Sequence, residues 1–142
     1  MILSQTAEYA LRAVLYVAQN DQHNLVRVAD IAEALKIPRN YLSKILHILA
    51  RAGILASSRG KTGGFRLAVP ADQLALLDLI QAFDTIEERR WCLLGRPVCS
   101  DHQPCAAHER WKHTAETVST FFRSTTIADL LPKTGTARRS TR

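Results

Sequence analysis

The sequence predicts a mainly α-helical protein that contains one small β-hairpin. Three observations support this fold class. Apolar residues recur at helical spacing in three segments before Gly53, two short apolar runs flank a glycine-rich turn, and a long helical pattern covers much of the C-terminal part. The chain has 142 residues, of which 46% are hydrophobic and 23% charged, as expected for one domain with a buried core.

The first two predicted helices have clear apolar faces. The first runs from about Gln5 to Asn20, and the polar stretch DQHN closes it. Its apolar face consists of Ala7, Ala10, Leu11, Val14 and Ala18. The second helix is shorter. Its apolar stripe consists of Val28, Ile31, Ala32 and Leu35.

A third helix is predicted from about Arg39 to Ala52, after a KIPRN segment in which proline suits only a turn or a first helical turn. Gly53 follows it as a C-cap residue would. Its apolar face consists of Leu42, Ile45, Leu46 and Leu49.

The opposite face of the third helix carries polar and basic side chains. They are Arg39, Asn40, Ser43, Lys44 and His47. Two short helices joined by a tight turn, the second presenting such a face, are typical of a helix-turn-helix. The second helix of that motif contacts base edges and phosphates in a major groove. An ordinary solvated helix face is the alternative interpretation.

The segments ILASS and FRLAV flank RGKTGG, which predicts two strands joined by a tight turn. A hairpin directly after such a helix pair is the wing of a winged helix. Arg59 and Lys61 lie at its tip, and arginine at this place can enter a narrow minor groove. The GKT tripeptide is not a phosphate-binding P-loop, because that motif needs glycine at position 55, which is Leu55, and a helix afterwards.

The charge distribution favours an anionic partner such as nucleic acid. The net charge is +6, and residues 1–67 carry nine Lys and Arg against four Asp and Glu. A solvated basic surface is the alternative. No apolar run reaches the roughly 18 residues of a membrane span, and the N-terminus lacks a signal-peptide pattern. We therefore expect a cytoplasmic protein with no membrane partner.

After Pro70, the segment DQLALLDLIQAFD predicts a fourth helix that faces the core with Leu74, Leu77 and Ile80. A long helix is predicted from about Ala106 to Leu130. Its coiled-coil-like seam consists of Trp111, Ala115, Val118 and Phe122, with Phe121 beside it. Because this helix exceeds what a winged domain needs, we expect a homodimer; packing on its own domain is the alternative.

The sequence thus divides into four parts. Residues 1–83 form a winged helix-turn-helix domain with its following helix, and residues 84–105 form a cysteine-rich loop. We expect residues 106–131 to form a dimerisation helix and residues 132–142 to form a disordered basic tail.

All three cysteines of the chain lie in CLLGRPVCSDHQPCAAH, as Cys92, Cys99 and Cys105, and His108 follows them. An odd number of crowded thiols suits metal binding or redox chemistry better than a disulfide framework. A zinc site with three cysteines and one histidine is chemically sound, but close Cys-x2–4-Cys pairs are absent. The longer spacings favour an iron–sulfur cluster. A cysteine nucleophile has no recognisable oxyanion site here.

The chain resembles the iron–sulfur cluster regulators of the IscR/NsrR kind over about residues 1–130. The resemblance is carried by SQTAEYALRAVLYVA, VADIAEALKIPRNYLSKILHILARAGIL, SSRGKTGGFRLA, DLIQAFD and the three-cysteine loop. It implies a dimeric winged-helix repressor or activator that reads DNA with the third helix and the wing. The residues so implicated are Arg39, Asn40, Ser43, Lys44 and Arg59.

The resemblance also implies that the three cysteines hold a cluster, often 2Fe–2S and in some members 4Fe–4S. In one group the fourth ligand is a histidine three residues after the last cysteine, which His108 matches; in others it comes from the N-terminal helix of the partner subunit, where this chain has Glu8. The loop departs from the commonest arrangement, because one extra residue separates Cys92 from Cys99.

We therefore expect a DNA-binding transcription regulator, a repressor and not an enzyme, whose operator affinity depends on a cluster that senses redox state, nitric oxide or iron status. One alternative is a winged-helix regulator that works as a thiol switch or is stabilised by zinc. A small cysteine-dependent redox protein is a remote alternative.

Overall fold

A computed structural model describes residues 3–21, 24–84, 92–97 and 100–133. These ranges contain six α-helices and one antiparallel hairpin. Their bounds are α1 (Gln5–Asn20), α2 (Val28–Leu35), α3 (Arg39–Arg51), β1 (Leu55–Ser58), β2 (Gly64–Leu67), α4 (Leu76–Ile80), α5 (His108–Ser124) and α6 (Ile127–Leu130). The predicted ligand Cys99, the basic tail beyond Lys133 and part of the predicted cysteine-rich loop lie outside the described residues.

Helix α1 begins at a serine cap. The Ser4 hydroxyl accepts a hydrogen bond from the Ala7 N–H (3.1 Å), which satisfies a donor that the first turn leaves open. The residues of α1 that are fully buried are Ala7, Ala10, Ala13, Val14 and Val17. Small side chains on this face let α3 approach closely, and α1 packs against α2, α3 and α4 around one core.

The tight turn between α2 and α3 is made by three successive residues. Lys36 adopts a left-handed conformation (φ 54°), Ile37 is buried, and Pro38 lies directly before α3. Because the turn is short, α2 and α3 meet as a helix-turn-helix. The predicted apolar face of α3 is buried as expected, at Leu42, Ile45, Leu46 and Leu49.

The hairpin has a third short segment that the sequence did not predict. Strand β1 pairs with β2 in the register Leu55 with Leu67 and Ser58 with Gly64. Val26 then pairs with Phe65 through two backbone hydrogen bonds of 2.9 and 2.8 Å. This pairing joins the chain just before α2 to the base of the wing.

The predicted fourth helix is shorter than expected. Residues Ala71–Gln73 form a 3-10 turn, and α4 covers only Leu76–Ile80. Between them the backbone is extended and pairs with the chain after α5. The Leu76 N–H donates to the Thr125 carbonyl and the Ile127 N–H to the Leu74 carbonyl, both at 2.9 Å.

The same pairing divides the predicted long helix in two. The sequence predicts one helix from about Ala106 to Leu130, whereas α5 ends at Ser124 and α6 begins at Ile127. Thr125 is extended (φ −93°, ψ 127°): its N–H still donates to the Phe121 carbonyl of α5, whereas its own carbonyl accepts from the Leu76 N–H. Thr126 and Asp129 then form a reciprocal capping box for α6.

Helix α5 uses part of its predicted seam for the domain's own core. Phe122 is buried, Val118 packs against the core, and α5 contacts α4. Phe121, next to it, remains 52% exposed, with its ring edge-on to that of Phe122. None of the helices in the described ranges is long and apolar enough to span a membrane.

Candidate DNA-binding face and cysteine loop

The polar face of α3 lies on the surface as one continuous strip. The side chains that line it are Asn40, Ser43, Lys44, His47, Ile48 and Arg51. The opposite side of the helix is buried against α1 and α2, so it fixes which side chains point outward. Arg39 stands at the beginning of the helix and faces the wing. The structure therefore brings together the five predicted residues of α3 and adds Arg51.

A groove of about 700 Å³ runs between α3 and the wing. Its cationic side chains are Arg27, Arg39, Arg51, Arg59 and Lys61. Among the described residues that line it, none is acidic. Five like charges around one groove favour a positive potential there, because no carboxylate stands among the described residues that line it. Such a groove attracts a polyanion and suits the phosphate backbone of a duplex.

Arg27 connects the helix pair to the wing. Its Nη2 donates a hydrogen bond to the carbonyl of Lys61 at the tip of the hairpin (2.5 Å). Sequence reasoning missed Arg27, because the residue precedes α2 and reaches the groove only through the Val26–Phe65 pairing. Arg51 could have been found, since it lies four residues after His47 on the same face of α3.

Two aromatic contacts connect α3 to the wing and to α1. The His47 ring lies 6.2 Å from the ring of Phe65, which is buried at the base of the wing. At the beginning of the helix, the Tyr41 hydroxyl is hydrogen-bonded to the Thr6 hydroxyl, and its ring meets that of Tyr9 edge-on at 5.8 Å. Helix α3 therefore contacts the wing in its C-terminal half, through His47, and α1 in its first turn, through Tyr41.

The cysteine loop is described in two pieces. Cys92 and Cys105 are both half-buried. Gly95 makes a turn (φ 71°) and its N–H donates to the Cys92 carbonyl (2.9 Å). At the start of α5, the His108 N–H donates to the Cys105 carbonyl (3.0 Å), so one turn separates these two residues.

His108 is the buried polar residue of this region, with 4% of its surface exposed. Its Nε2 lies 2.7 Å from Oδ1 of Asp101, and Nζ of Lys112 approaches the same oxygen at 3.1 Å. The hydrogen bond with His108, followed by that from Lys112, lowers the pKa of Asp101 from 3.8 to about 2. Asp101 in turn raises the pKa of Lys112. An ionised carboxylate only accepts, so Nε2 of His108 carries the shared hydrogen.

The predicted ligands do not form a closed set in the described residues. No group of three or more His, Cys, Asp or Glu side chains in these ranges is arranged to hold a metal ion. Cys92, Cys105 and His108 are described, whereas Cys99 lies outside. Glu8, the alternative ligand to a partner subunit's cluster, is half-buried in the first turn of α1. The ligand assignment therefore stays a prediction.

Comparison with known sequences gives one family over most of the chain. The Rrf2 family, described as "Iron-dependent Transcriptional regulator", matches residues 3–133. A chain of Aquifex aeolicus named as a candidate HTH-type transcriptional regulator is 39% identical over 133 residues, which are 92% of each chain. The HTH-type transcriptional regulator IscR of Vibrio campbellii is 34% identical over 131 residues, which cover 92% of this chain and 77% of IscR.

Solved structures share the fold at low sequence identity. The structure of T. potens IscR has a TM-score of 0.74 at 22% identity and covers 96% of this chain and 92% of its own. CymR, the global cysteine regulator of B. subtilis, also has a TM-score of 0.74, at 23% identity, covering 90% and 94%. These likenesses confirm the predicted fold class, a mainly α winged helix-turn-helix with a β-hairpin wing.

Proposed function

Since this chain belongs to the Rrf2 family of transcription regulators, we propose that it is a homodimeric cytoplasmic repressor whose operator affinity is controlled by an iron–sulfur cluster. The relatives are DNA-binding regulators, which confirms the expectation that the chain is not an enzyme. The groove between α3 and the wing carries the DNA-binding part of the proposal, because it combines five cations with the exposed face of a helix-turn-helix.

We propose that α3 enters a major groove and the wing lies along the neighbouring phosphates. Asn40, Ser43 and Lys44 then face base edges, since their side chains share the exposed strip of α3. His47 lies closer to the wing, beside Phe65. Arg59 and Lys61 reach phosphates or a narrow minor groove from the hairpin tip.

The DNA-binding part is tested by the salt dependence of duplex affinity. A duplex selected by the protein from a randomised pool is titrated at several KCl concentrations. Replacing Arg59 by Ala should weaken binding on every sequence and reduce the salt slope by about 1, because one phosphate contact is lost. The matched control is Arg110→Ala, which removes an exposed cation of α5 that does not line the groove.

An absence of salt-dependent duplex binding by the wild-type protein would contradict the DNA-binding function. Unchanged affinity and slope in Arg59→Ala, with the wild-type protein binding normally, would contradict only the docking of the wing.

The residues of the cysteine loop suit an iron–sulfur cluster by their chemistry. Thiolates are the ligands that such clusters prefer, and histidine replaces some of them in known sites. A histidine that ligates a metal commonly donates its other ring N–H to a carboxylate, which orients the ring. Asp101 provides such a carboxylate for Nε2 of His108. We propose Cys92, Cys99, Cys105 and His108 as the ligands.

When bound, the cluster would supply a centre that gains or loses electrons and reacts with oxidants or nitric oxide. The chain itself connects the cysteine loop to the proposed DNA-binding face. Residues 100–107 run directly into α5, which packs on α4 and on the core that supports α3. A change in this loop therefore acts on the base of α5. We propose 2Fe–2S as the cluster type, as the resemblance implies, and 4Fe–4S as the alternative.

A thiol switch without a cluster is the second candidate. The observation that favours it is the structural similarity to the oxidized form of Staphylococcus aureus CymR, with a TM-score of 0.75 at 24% identity. The half-buried Cys92 and Cys105 would then respond to oxidants directly. Iron and sulfide assays separate the two candidates, because a thiol switch holds neither.

A further inference from the structure

Ile48 interrupts the polar strip of α3 with an exposed apolar side chain. It is 39% exposed and lines the same surface as Asn40 and His47. Lys44 lies one turn before it and Arg51 lies one turn after it. A branched apolar group therefore stands between two cations on the face that we propose to enter the major groove.

The other exposed large apolar side chains in the described ranges have different surroundings. Tyr41 is also on α3, but it is bonded to Thr6 and packs on Tyr9. The remaining ones lie outside α3, at Leu93, Leu94, Phe121 and Leu130. Within α3, Ile48 is thus the exposed aliphatic residue.

Helix stability does not explain this choice of residue. Isoleucine is branched at Cβ and has a lower helix propensity than lysine, arginine or glutamine, the usual residues of a solvated helix face. Leaving it exposed also forgoes the burial of its apolar surface. A contact made with a bound ligand would bury that surface and recover the free energy of its burial.

We infer that Ile48 determines sequence specificity by packing against the C5-methyl group of thymine in the major groove. Of the four bases only thymine presents a methyl group there, and aliphatic contact is the ordinary way in which proteins read it. Cations one turn away on each side suit this role, because phosphate contacts fix the position of a helix relative to the base edges. This inference rests on the proposed DNA-binding function and adds the chemical group that the protein recognises, the thymine methyl group.

The test replaces thymines in the selected duplex by deoxyuridine, one position at a time. This change removes only the methyl group and leaves Watson–Crick pairing intact. For the wild-type protein, affinity should fall about fourfold at one or two thymines of each half-site, which is the effect of one buried methyl group. Ile48→Ala should bind the original duplex correspondingly more weakly and should be insensitive to deoxyuridine at those positions.

Two variants provide the controls. Ile48→Val keeps a branched aliphatic group and should retain part of the methyl dependence. Leu130→Ala removes an apolar side chain of similar exposure (40%) on α6 and should leave the wild-type pattern unchanged. Ile48→Ala itself should fold normally, because alanine has the highest helix propensity.

Equal deoxyuridine effects in wild type and Ile48→Ala would overturn the inference while leaving the DNA-binding function intact. If Ile48→Ala binds the selected duplex as tightly as wild type does, the inference is also overturned and the DNA-binding function is left intact. That result would point to a protein partner for this side chain. Failure of the wild-type protein to select any sequence would overturn both the inference and the proposed function.

Discussion

Arg27 connects the two parts of the proposed DNA-binding surface, which are α3 and the wing. It bonds to the Lys61 carbonyl and lines the same groove as Arg39 and Arg59. A planar guanidinium can hold this carbonyl with one N–H while others remain directed at a phosphate. Lysine, with its single nitrogen, cannot keep the same geometry for both.

We predict that Arg27→Lys weakens duplex binding although the charge is unchanged, because the wing tip loses its fixed donor. Arg27→Ala should weaken binding further and lower the salt slope by about 1. Titrations of a labelled duplex at several salt concentrations measure both. An Arg27→Lys variant that binds as tightly as wild type would show that only the charge of Arg27 matters.

Two residues of the site, Asp101 and Arg27, could not be predicted from the sequence. Asp101 lies in a loop and belongs to no periodic pattern, so nothing in the sequence indicated that it would bind a buried His108. Arg27 lies outside α3 and enters the groove through a non-local strand pairing. Arg39, Asn40 and the other members of the α3 face were predictable, because helical spacing alone puts them opposite the apolar face.

At the scale of elements, α3 and the hairpin follow from local patterns, whereas the division between α5 and α6 does not. Residues 106–130 have a continuous helical pattern, and the apolar spacing carries no stop at Thr125. The break arises because the backbone at Thr125 and Ile127 pairs with the Leu74–Leu76 segment, some 50 residues earlier. The Thr126-x-x-Asp129 cap motif is a local signal for the start of α6, although the apolar periodicity continues through it.

In the capping box of α6, the Thr126 hydroxyl both accepts from the Asp129 N–H and donates to the Asp129 carboxylate. We predict that Thr126→Ala lowers the free energy of unfolding by about 1 kcal/mol, because the Asp129 N–H loses its side-chain acceptor and the Asp129 carboxylate loses the hydroxyl donor. Thr126→Ser should restore most of it. Thr117→Ala, at an exposed position within α5, is the matched control and should have little effect. Urea denaturation measures all three, and an unaffected Thr126→Ala would contradict the role of the cap.

The same cap predicts a pH dependence. The backbone N–H of Thr126, then its hydroxyl, lower the pKa of Asp129 from 3.8. A carboxylate whose pKa is lower in the folded state contributes stability above 3.8, and this contribution is lost as the pH falls through the folded-state pKa. The acid-induced loss of stability should therefore be smaller in Thr126→Ala than in wild type, which urea denaturation between pH 5 and pH 2.5 would measure.

At the scale of the whole molecule, two adjacent phenylalanines of α5 have opposite environments. Phe122 is buried in the domain's own core, whereas Phe121 is 52% exposed beside it. At Phe122 the predicted seam therefore contributes to the core of its own domain. We propose that Phe121 and the exposed face of α5 serve the partner subunit, as two-fold pairing of α5 would place two reading helices on successive major grooves.

We predict that Phe121→Ala leaves each subunit folded and weakens dimerisation, because the side chain contributes mainly to the proposed interface. Phe122→Ala should instead destabilise the fold by about 3 to 5 kcal/mol, through the cavity it leaves. Sedimentation velocity and thermal unfolding at equal protein concentration distinguish the two effects. A Phe121→Ala dimer as tight as wild type would place the interface elsewhere.

The proposal that this winged-helix regulator holds an iron–sulfur cluster through its cysteine loop can be tested by an absorption spectrum of protein purified without oxygen, with iron and sulfide assayed on the same sample. We predict visible charge-transfer bands with iron and sulfide in similar amounts, and their loss in a folded Cys105→Ala variant. A colourless wild-type protein with one zinc or no metal would contradict it and assign the sensing chemistry to the thiols, and a full cluster in Cys105→Ala would contradict the ligand assignment.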